Sequence, residues 1–298
     1  MGEYCNLCPR ACNVDRAGGK TGFCGQDNRI KIARADLHMW EEPCISGKQG
    51  SGTVFFSGCS LRCIYCQNHE IALGKTGSLC TENELADIYL RLQDKGAANI
   101  NLVTGTHYIP QIRESLLLAK KKGLTIPVVY NCGGYEKVES IRTLEGLIDI
   151  YLPDYKYSEE ELAEKFSGAR DYPMVAMEAI AEMVRQKKDM VINAETGYMQ
   201  SGVIVRHLVL PGHTHNSINA IKALHDHFGD KIYISIMSQY TPIKMHEQYP
   251  ELNRTLTKRE YNKVVDFALE YGVENAFIQE MTASGKAFIP EFGEDNIL

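Results

Sequence analysis

Six short apolar runs punctuate the chain from residue 53 onward: 53–57, 101–103, 127–130, 148–152, 203–210 and 231–237. Runs this short and this continuously apolar are expected to be strands buried on both faces. Segments with helical periodicity lie between them, over roughly 110–122, 136–145, 173–187, 216–228 and 257–271. Another helix is announced by Thr81-Glu-Asn-Glu84, a capping box ahead of Leu85, Ile88, Tyr89 and Leu92. Strand–helix alternation of this kind predicts an α/β fold with a parallel sheet covered by helices. Six units fall short of the eight of a closed barrel, but such a sheet can curl into an open one. Gly47, Gly50 and Gly52 precede the first strand rather than follow it, so they mark a turn and not a dinucleotide fingerprint.

Directly after the first strand stand Cys59, Cys63 and Cys66, in C-x3-C-x2-C spacing. Three thiolates in one short loop can hold three corners of a cubane iron–sulfur cluster, one ligand short of four. An open metal position is where a substrate or cofactor binds; the alternative is a closed zinc site that borrows its fourth ligand elsewhere. A loop that follows a strand lies at the C-terminal mouth of the sheet, where barrel enzymes place their chemistry.

Residues 1–50 are rich in Gly, Cys and charge and poor in apolar periodicity, as expected of a small lobe held by metal. Cys5, Cys8, Cys12 and Cys24 supply four soft ligands, suited to zinc or to a second, fully ligated Fe–S cluster. Their spacing does not choose between the two. Because these ligands come from a different segment, their site is expected to be separable from that of the other three. Of the remaining cysteines, Cys80 and Cys132 read as small buried hydrophobes, and Cys44, between the two groups, is left open.

Ten cysteines could form a disulfide framework, but no stretch has the roughly 18 apolar residues of a membrane span, and Met-Gly-Glu-Tyr-Cys lacks a signal core. A cytoplasmic protein with metal-binding cysteines is expected. The net charge of −6 argues against long nucleic acid as a partner.

The cysteine motif, with Tyr65 before its third cysteine, resembles that of the radical S-adenosylmethionine (SAM) enzymes. The resemblance implies a partial (β/α)6 barrel of the TIM type over 51–285. It also implies an oxygen-sensitive 4Fe–4S cluster on Cys59, Cys63 and Cys66, whose open iron takes the amino and carboxylate groups of SAM. One electron from the reduced cluster then splits SAM into methionine and a 5′-deoxyadenosyl radical. The Cys-rich lobe, 1–50, precedes this core, and 286–298 form a C-terminal tail and candidate lid.

The resemblance places SAM contacts at successive strand ends. Thr104-Gly-Thr-His-Tyr108 stands where much of the superfamily has Gly-Gly-Glu against the SAM amine. It has no acid, so only Gly105, Thr106 and backbone carbonyls carry over. Asn131-Cys-Gly-Gly-Tyr135 is similar to a turn near the ribose. Asp154-Tyr-Lys156 resembles a feature of the glycyl-radical activating enzymes, whose Lys approaches the SAM carboxylate. Arg206, His207, Gln239 and Tyr65 complete the candidate set, with Lys156 and Arg206 expected to bind SAM rather than do chemistry. His213, His215, His225 and His227 read as solvated.

His38-Met-Trp-Glu-Glu-Pro43, Gly50-Ser-Gly-Thr-Val-Phe-Phe-Ser-Gly58 and Arg206-His-Leu-Val-Leu-Pro-Gly212 are similar to pyruvate formate-lyase activating enzyme homologues. That similarity covers nearly the whole chain. It implies an activase that abstracts hydrogen from a backbone glycine of a glycyl radical enzyme, fed by flavodoxin or ferredoxin as one-electron donor. A second expectation is direct radical chemistry, cleavage or rearrangement, on a small molecule such as a modified nucleoside. A third, a non-catalytic Fe–S protein, would give an iron left open to SAM no purpose.

Overall fold

The computed structural model describes residues 4–281. The first elements are β1 (Ile30–His38), α1 (Pro43–Ser46), β2 (Ser51–Phe56), α2 (His69–Ala72), β3 (Ser78–Cys80) and α3 (Glu82–Asp94). Then come β4 (Ile100–Val103), α4 (Ile109–Lys122), β5 (Val128–Cys132), α5 (Val138–Arg142), β6 (Ile150–Pro153), α6 (Glu160–Ser167) and α7 (Tyr172–Gln186). The remaining described elements are β7 (Val191–Ile192), β8 (Met199–Leu208), α8 (Thr214–Phe228), β9 (Tyr233–Met237), α9 (Lys258–Glu270) and β10 (Ala276–Ile278). The tail expected as a lid, 286–298, lies outside the described residues.

The strands form a mixed, largely parallel sheet in the order β10-β9-β8-β6-β5-β4-β2-β1-β3, with β7 paired to β8. From β2 to β10 the spatial order follows the chain order, and each neighbouring pair is parallel. Right-handed crossovers that never reverse direction put the connecting helices on one face of the sheet. The register bears this out. Val54, Leu102, Tyr130, Tyr151 and Val203 align across five strands and share one core with the helices. Their neighbours on the other face, Val129, Ile150, Leu152 and Ile204, form a separate core with Cys44 and Ile45 of α1.

All six expected strands form. The Thr81 capping box is present, with Glu84 N–H donating to Thr81 Oγ1 at 3.3 Å and Thr81 N–H to Glu84 Oε2 at 2.8 Å. Leu85, Ile88, Tyr89 and Leu92 are buried as the periodicity requires. Several elements were not expected, among them the short α1, α2, β3, β7 and β10; two of the longer ones are informative. Residues 30–38, inside the stretch read as a metal-held lobe, form β1, which pairs antiparallel with β2 from Ile32–Phe56 to His38–Ser51. Its buried residues, Ile30, Ile32, Ala33 and Ala35, include two adjacent positions, so the alternation is broken in sequence. The other is α6, a helix of 8 residues too short to show a period. Among the described residues no helix is long and apolar enough to cross a membrane.

Candidate functional site

After β2 the chain turns at Gly58 into the cysteine loop. Gly58 has φ +92°, and a Cβ there would lie 2.6 Å from Gln26 Cγ and 2.7 Å from the Cys24 carbonyl oxygen. Only glycine lets the N-terminal segment come this close. Cys59, Cys63 and Cys66 then line one cavity of about 200 Å³, with strand-end residues from β4, β5, β6, β8 and β9 around them.

The loop is held from several sides. Ile64 N–H donates to the Phe166 carbonyl at 2.9 Å. Tyr65 lies edge-on to Phe166 at 5.9 Å and to Tyr157 at 6.4 Å, so the aromatic residue of the motif anchors the loop in an aromatic cluster. Two residues that are not glycine adopt left-handed backbone here, Arg62 (φ +51°) within the motif and Thr104 (φ +61°) on the cavity wall. Each such residue costs about 1–3 kcal/mol, and outliers of this kind gather at functional sites.

Burial pushes up the thiols of Cys59 and Cys66, that of Cys66 to about 12, and neighbouring cysteines add to the rise. They become thiolates only when a metal displaces their protons. Among the described residues no three His, Cys, Asp or Glu side chains converge as ligands of a single metal ion. A cubane makes a different demand: each thiolate binds its own iron, so the sulfurs stand further apart than around one ion. Three thiols from one loop lining one cavity suit that donor set.

Of the expected SAM contacts, Tyr65, Thr106 and Asn131 line the cavity, as do Asp154, Lys156, Arg206 and Gln239. Two fall outside its lining. Gly105 serves packing, since a Cβ there would meet Ile112 Cδ1 at 2.4 Å. His207 is fully buried, and its Nδ1–H donates to the Tyr155 carbonyl at 2.6 Å. Burial holds its pKa down, to about 4, so the ring is neutral.

The cavity's charges form one network. Arg206 Nε meets Asp154 Oδ1 at 2.9 Å, and its Nη1 meets Glu41 Oε2 at 3.2 Å. Lys156 Nζ meets Asp154 Oδ2 at 2.5 Å. Asn101 and Asn131 donate to Glu41 Oε1 at 3.0 and 3.3 Å. Burial works to raise the Asp154 carboxyl, but Arg206 and Lys156 outweigh it and hold it below the usual carboxylate range. For Glu41 and Glu42 burial wins over Arg206, and both are raised. Glu41 was not among the expected site residues. Its only signal was the pair of acids in His38-Met-Trp-Glu-Glu-Pro43, whose partner Arg206 lies 165 residues away.

Glu136 is a second unforeseen acid. It is buried beside the cavity wall, where Thr106 Oγ1 donates to its Oε1 at 2.6 Å and Tyr130 OH to its Oε2 at 3.5 Å. Burial raises its pKa to about 8, against the pull of those hydrogen bonds. An acid whose folded pKa exceeds its unfolded one keeps its full stability contribution below the unfolded value and loses it as pH rises towards the folded one. Stability from this residue therefore falls between roughly pH 4.5 and 8, by at most about 1.4 kcal/mol per pH unit. Glu136→Gln should flatten that fall in thermal melts taken from pH 5 to 8; an unchanged slope would show that Glu136 is ionised throughout.

The N-terminal thiols lie close enough to act on one another. Burial raises Cys8 to about 12 and raises Cys24, and the other N-terminal cysteines push both further. Phe23 N–H donates to Cys12 Sγ at 3.2 Å. The segment expected to carry a separable site is hydrogen-bonded to the rest of the fold. Arg16 Nη1 donates to the His107 carbonyl at 2.6 Å, and Arg10 Nε to the Ser60 carbonyl in the cysteine loop at 2.8 Å. Elsewhere, Cys132 is buried on the cavity wall, Cys44 is buried, and Cys80 is half-buried on β3. His215 is exposed, whereas His213 is half-buried, edge-on to Phe166 at 5.2 Å.

The family model of the radical SAM superfamily matches residues 53–237. An uncharacterized protein of Methanocaldococcus jannaschii is 30% identical over 284 residues, covering 91% of this chain and 76% of that one. Among solved structures, Streptococcus suis SuiB bound to the precursor peptide SuiA superposes with a TM-score of 0.51 at 14% identity, over 76% of this chain and 48% of that one. HydG, a maturase of the FeFe-hydrogenase, gives 0.51 at 15% identity, over 80% of this chain and 57% of that one. The chain thus spans about half the length of these solved structures, and at such identity the likeness is one of fold.

Proposed function

Since the chain belongs to the radical SAM superfamily, we propose that it is an activase-like enzyme whose radical abstracts hydrogen from a polypeptide, with a glycyl radical enzyme as the target. In this reading the sheet curls into an open six-unit barrel, and Cys59, Cys63 and Cys66 hold a 4Fe–4S cluster at its mouth. Bound there, cluster and SAM would supply the radical chemistry that removes hydrogen from an unactivated carbon. The observation that carries the polypeptide reading is the rim. Trp40 lines the cavity while 56% exposed, and Met39 beside it is 43% exposed. An apolar rim on a reactive cavity suits a macromolecular partner better than a small polar one. A flavodoxin or ferredoxin supplies the electron.

The chain's own residues do the positioning. Asp154 and Cys63 outweigh burial and keep Lys156 a cation, fit to receive a carboxylate. Asn131, Thr106 and Gln239 offer polar groups on other walls of the cavity. Lys156→Ala should keep its cluster while SAM affinity falls roughly 10- to 100-fold, the worth of one charge-assisted hydrogen bond. Calorimetric titration with SAM reads this directly, and an unchanged affinity would make Lys156 a partner of Asp154 alone. Cys5, Cys8, Cys12 and Cys24 are our candidates for a second metal site, zinc or Fe–S; since no three of them converge on a single ion, the Fe–S alternative is favoured, and iron and zinc analysis of the purified protein decides between them.

The decisive experiment is anaerobic, with reductant and SAM. A polypeptide from a glycyl radical enzyme should raise 5′-deoxyadenosine above the uncoupled background and acquire a glycyl radical signal. A rise with small molecules only, such as modified nucleosides, would replace this reading with a lyase or rearrangement.

A further inference from the structure

Arg10 sits in the turn between Cys8 and Cys12, which Ala11 N–H closes onto the Cys8 carbonyl at 3.0 Å. Its guanidinium reaches three backbone carbonyls far along the chain. Nε donates to Ser60 at 2.8 Å, Nη2 to Ser167 at 2.6 Å, and Nη1 to Gly168. Ser60 belongs to the cysteine loop. Ser167 and Gly168 terminate α6, where Gly168 turns left-handed at φ +55°. A helix end leaves its last carbonyls open and carries partial negative charge, so a guanidinium is well matched to it. The rings of Phe23 and Tyr135 flank the guanidinium carbon at 3.9 and 5.3 Å. Such cation–π contacts strengthen as water is excluded. One side chain of the N-terminal turn therefore ties the cysteine loop to the end of α6.

What that tie fixes is Ser167. Its buried hydroxyl donates to Cys63 Sγ at 3.0 Å and shares a 2.7 Å hydrogen bond with Tyr157 OH. Ser167 has one hydroxyl proton and directs it at sulfur, so Tyr157 is the donor to Ser167. The result is a relay, Tyr157 to Ser167 to Cys63, whose bonds polarise one another. Hydrogen bonds to cluster sulfurs help set a cluster's reduction potential, because they stabilise the more negative, reduced state.

We propose, resting on the reading of Cys63 as a cluster ligand, that Arg10 is a positioning residue that raises the cluster's reduction potential by holding Ser167 on Cys63. The turn bearing Arg10 is framed by Cys8 and Cys12.

The test uses full-length chain, reconstituted anaerobically with iron and sulfide. Midpoint potentials are read by redox titration, following the electron paramagnetic resonance signal of the reduced cluster. Ser167→Ala should shift the midpoint to more negative potential at wild-type iron content. Arg10→Gln should shift it in the same direction, and Arg10→Lys, able to keep only part of the three-way contact, by less. Lys137→Met, which cuts a different tie of the N-terminal segment (Lys137 Nζ to Asn6 Oδ1), should leave it unmoved. If Arg10→Gln does not fold, Arg10→Lys carries the comparison. An unshifted midpoint in Ser167→Ala overturns the relay, and a shift there without one in the Arg10 variants overturns the role of Arg10. A wild-type chain that assembles no cluster overturns the proposed function itself, an outcome distinct from both.

Discussion

Cys63→Ala, reconstituted anaerobically, should show little thiolate-to-iron charge-transfer absorption and form no 5′-deoxyadenosine above background. Three thiols serve three irons, so the loop has no spare ligand. Cys132 also lines the cavity, but it is held on β5 with only 2% of its surface exposed, so it is no substitute. Cys63 lies in a loop and is only partly buried, so the fold itself should survive, with far-ultraviolet circular dichroism close to wild type. Cleavage of SAM by this variant at the wild-type rate would remove the cluster from these three residues and the radical reading with it.

Arg206→Ala should behave quite differently, as a stability mutant. Arg206 faces Asp154 and Glu41 across buried contacts and is also the cation nearest to offsetting Glu42. Its removal leaves Glu41 without its cation and Asp154 with Lys156 alone, a class of change that costs about 3–5 kcal/mol. The melting temperature should fall by on the order of 10 °C. The pH dependence gives a second handle. In the wild type Asp154 is held below its unfolded pKa, so its contribution is present above that value and lost as pH falls through the folded one. Without Arg206 the Asp154 pKa rises, and the deficit should shrink on acidification as the carboxyls take up protons. Adding Glu41→Gln should restore part of the loss at neutral pH. A melting temperature within about 1 °C of wild type would show the network to be solvated and Arg206 free to act on SAM alone, as the sequence suggested.

The contrast between these two variants marks what was legible in the chain. The cysteine loop is local: the ligands, the aromatic anchor Tyr65 and the preceding Gly58 lie within nine residues, so spacing alone carries the chemistry. The six parallel strands were legible because both their faces are buried, which writes them as continuous apolar runs. The Thr81 capping box was legible because both partners lie within one turn.

What only the tertiary structure decided involves contacts between distant segments. Strand β1 joins the sheet through a pairing that its broken alternation barely announces. Glu41 acquires meaning only when folding brings Arg206 to it, and Glu136 only when β5 delivers it behind Thr106. Arg10 looks like one more basic residue in a cysteine-rich turn until the end of α6, 157 residues on, comes to rest against it. The physical reason is one of range. Strand patterning, capping and ligand spacing are set by neighbours along the chain, whereas the pairing of a buried charge depends on which strand ends the fold gathers around one cavity.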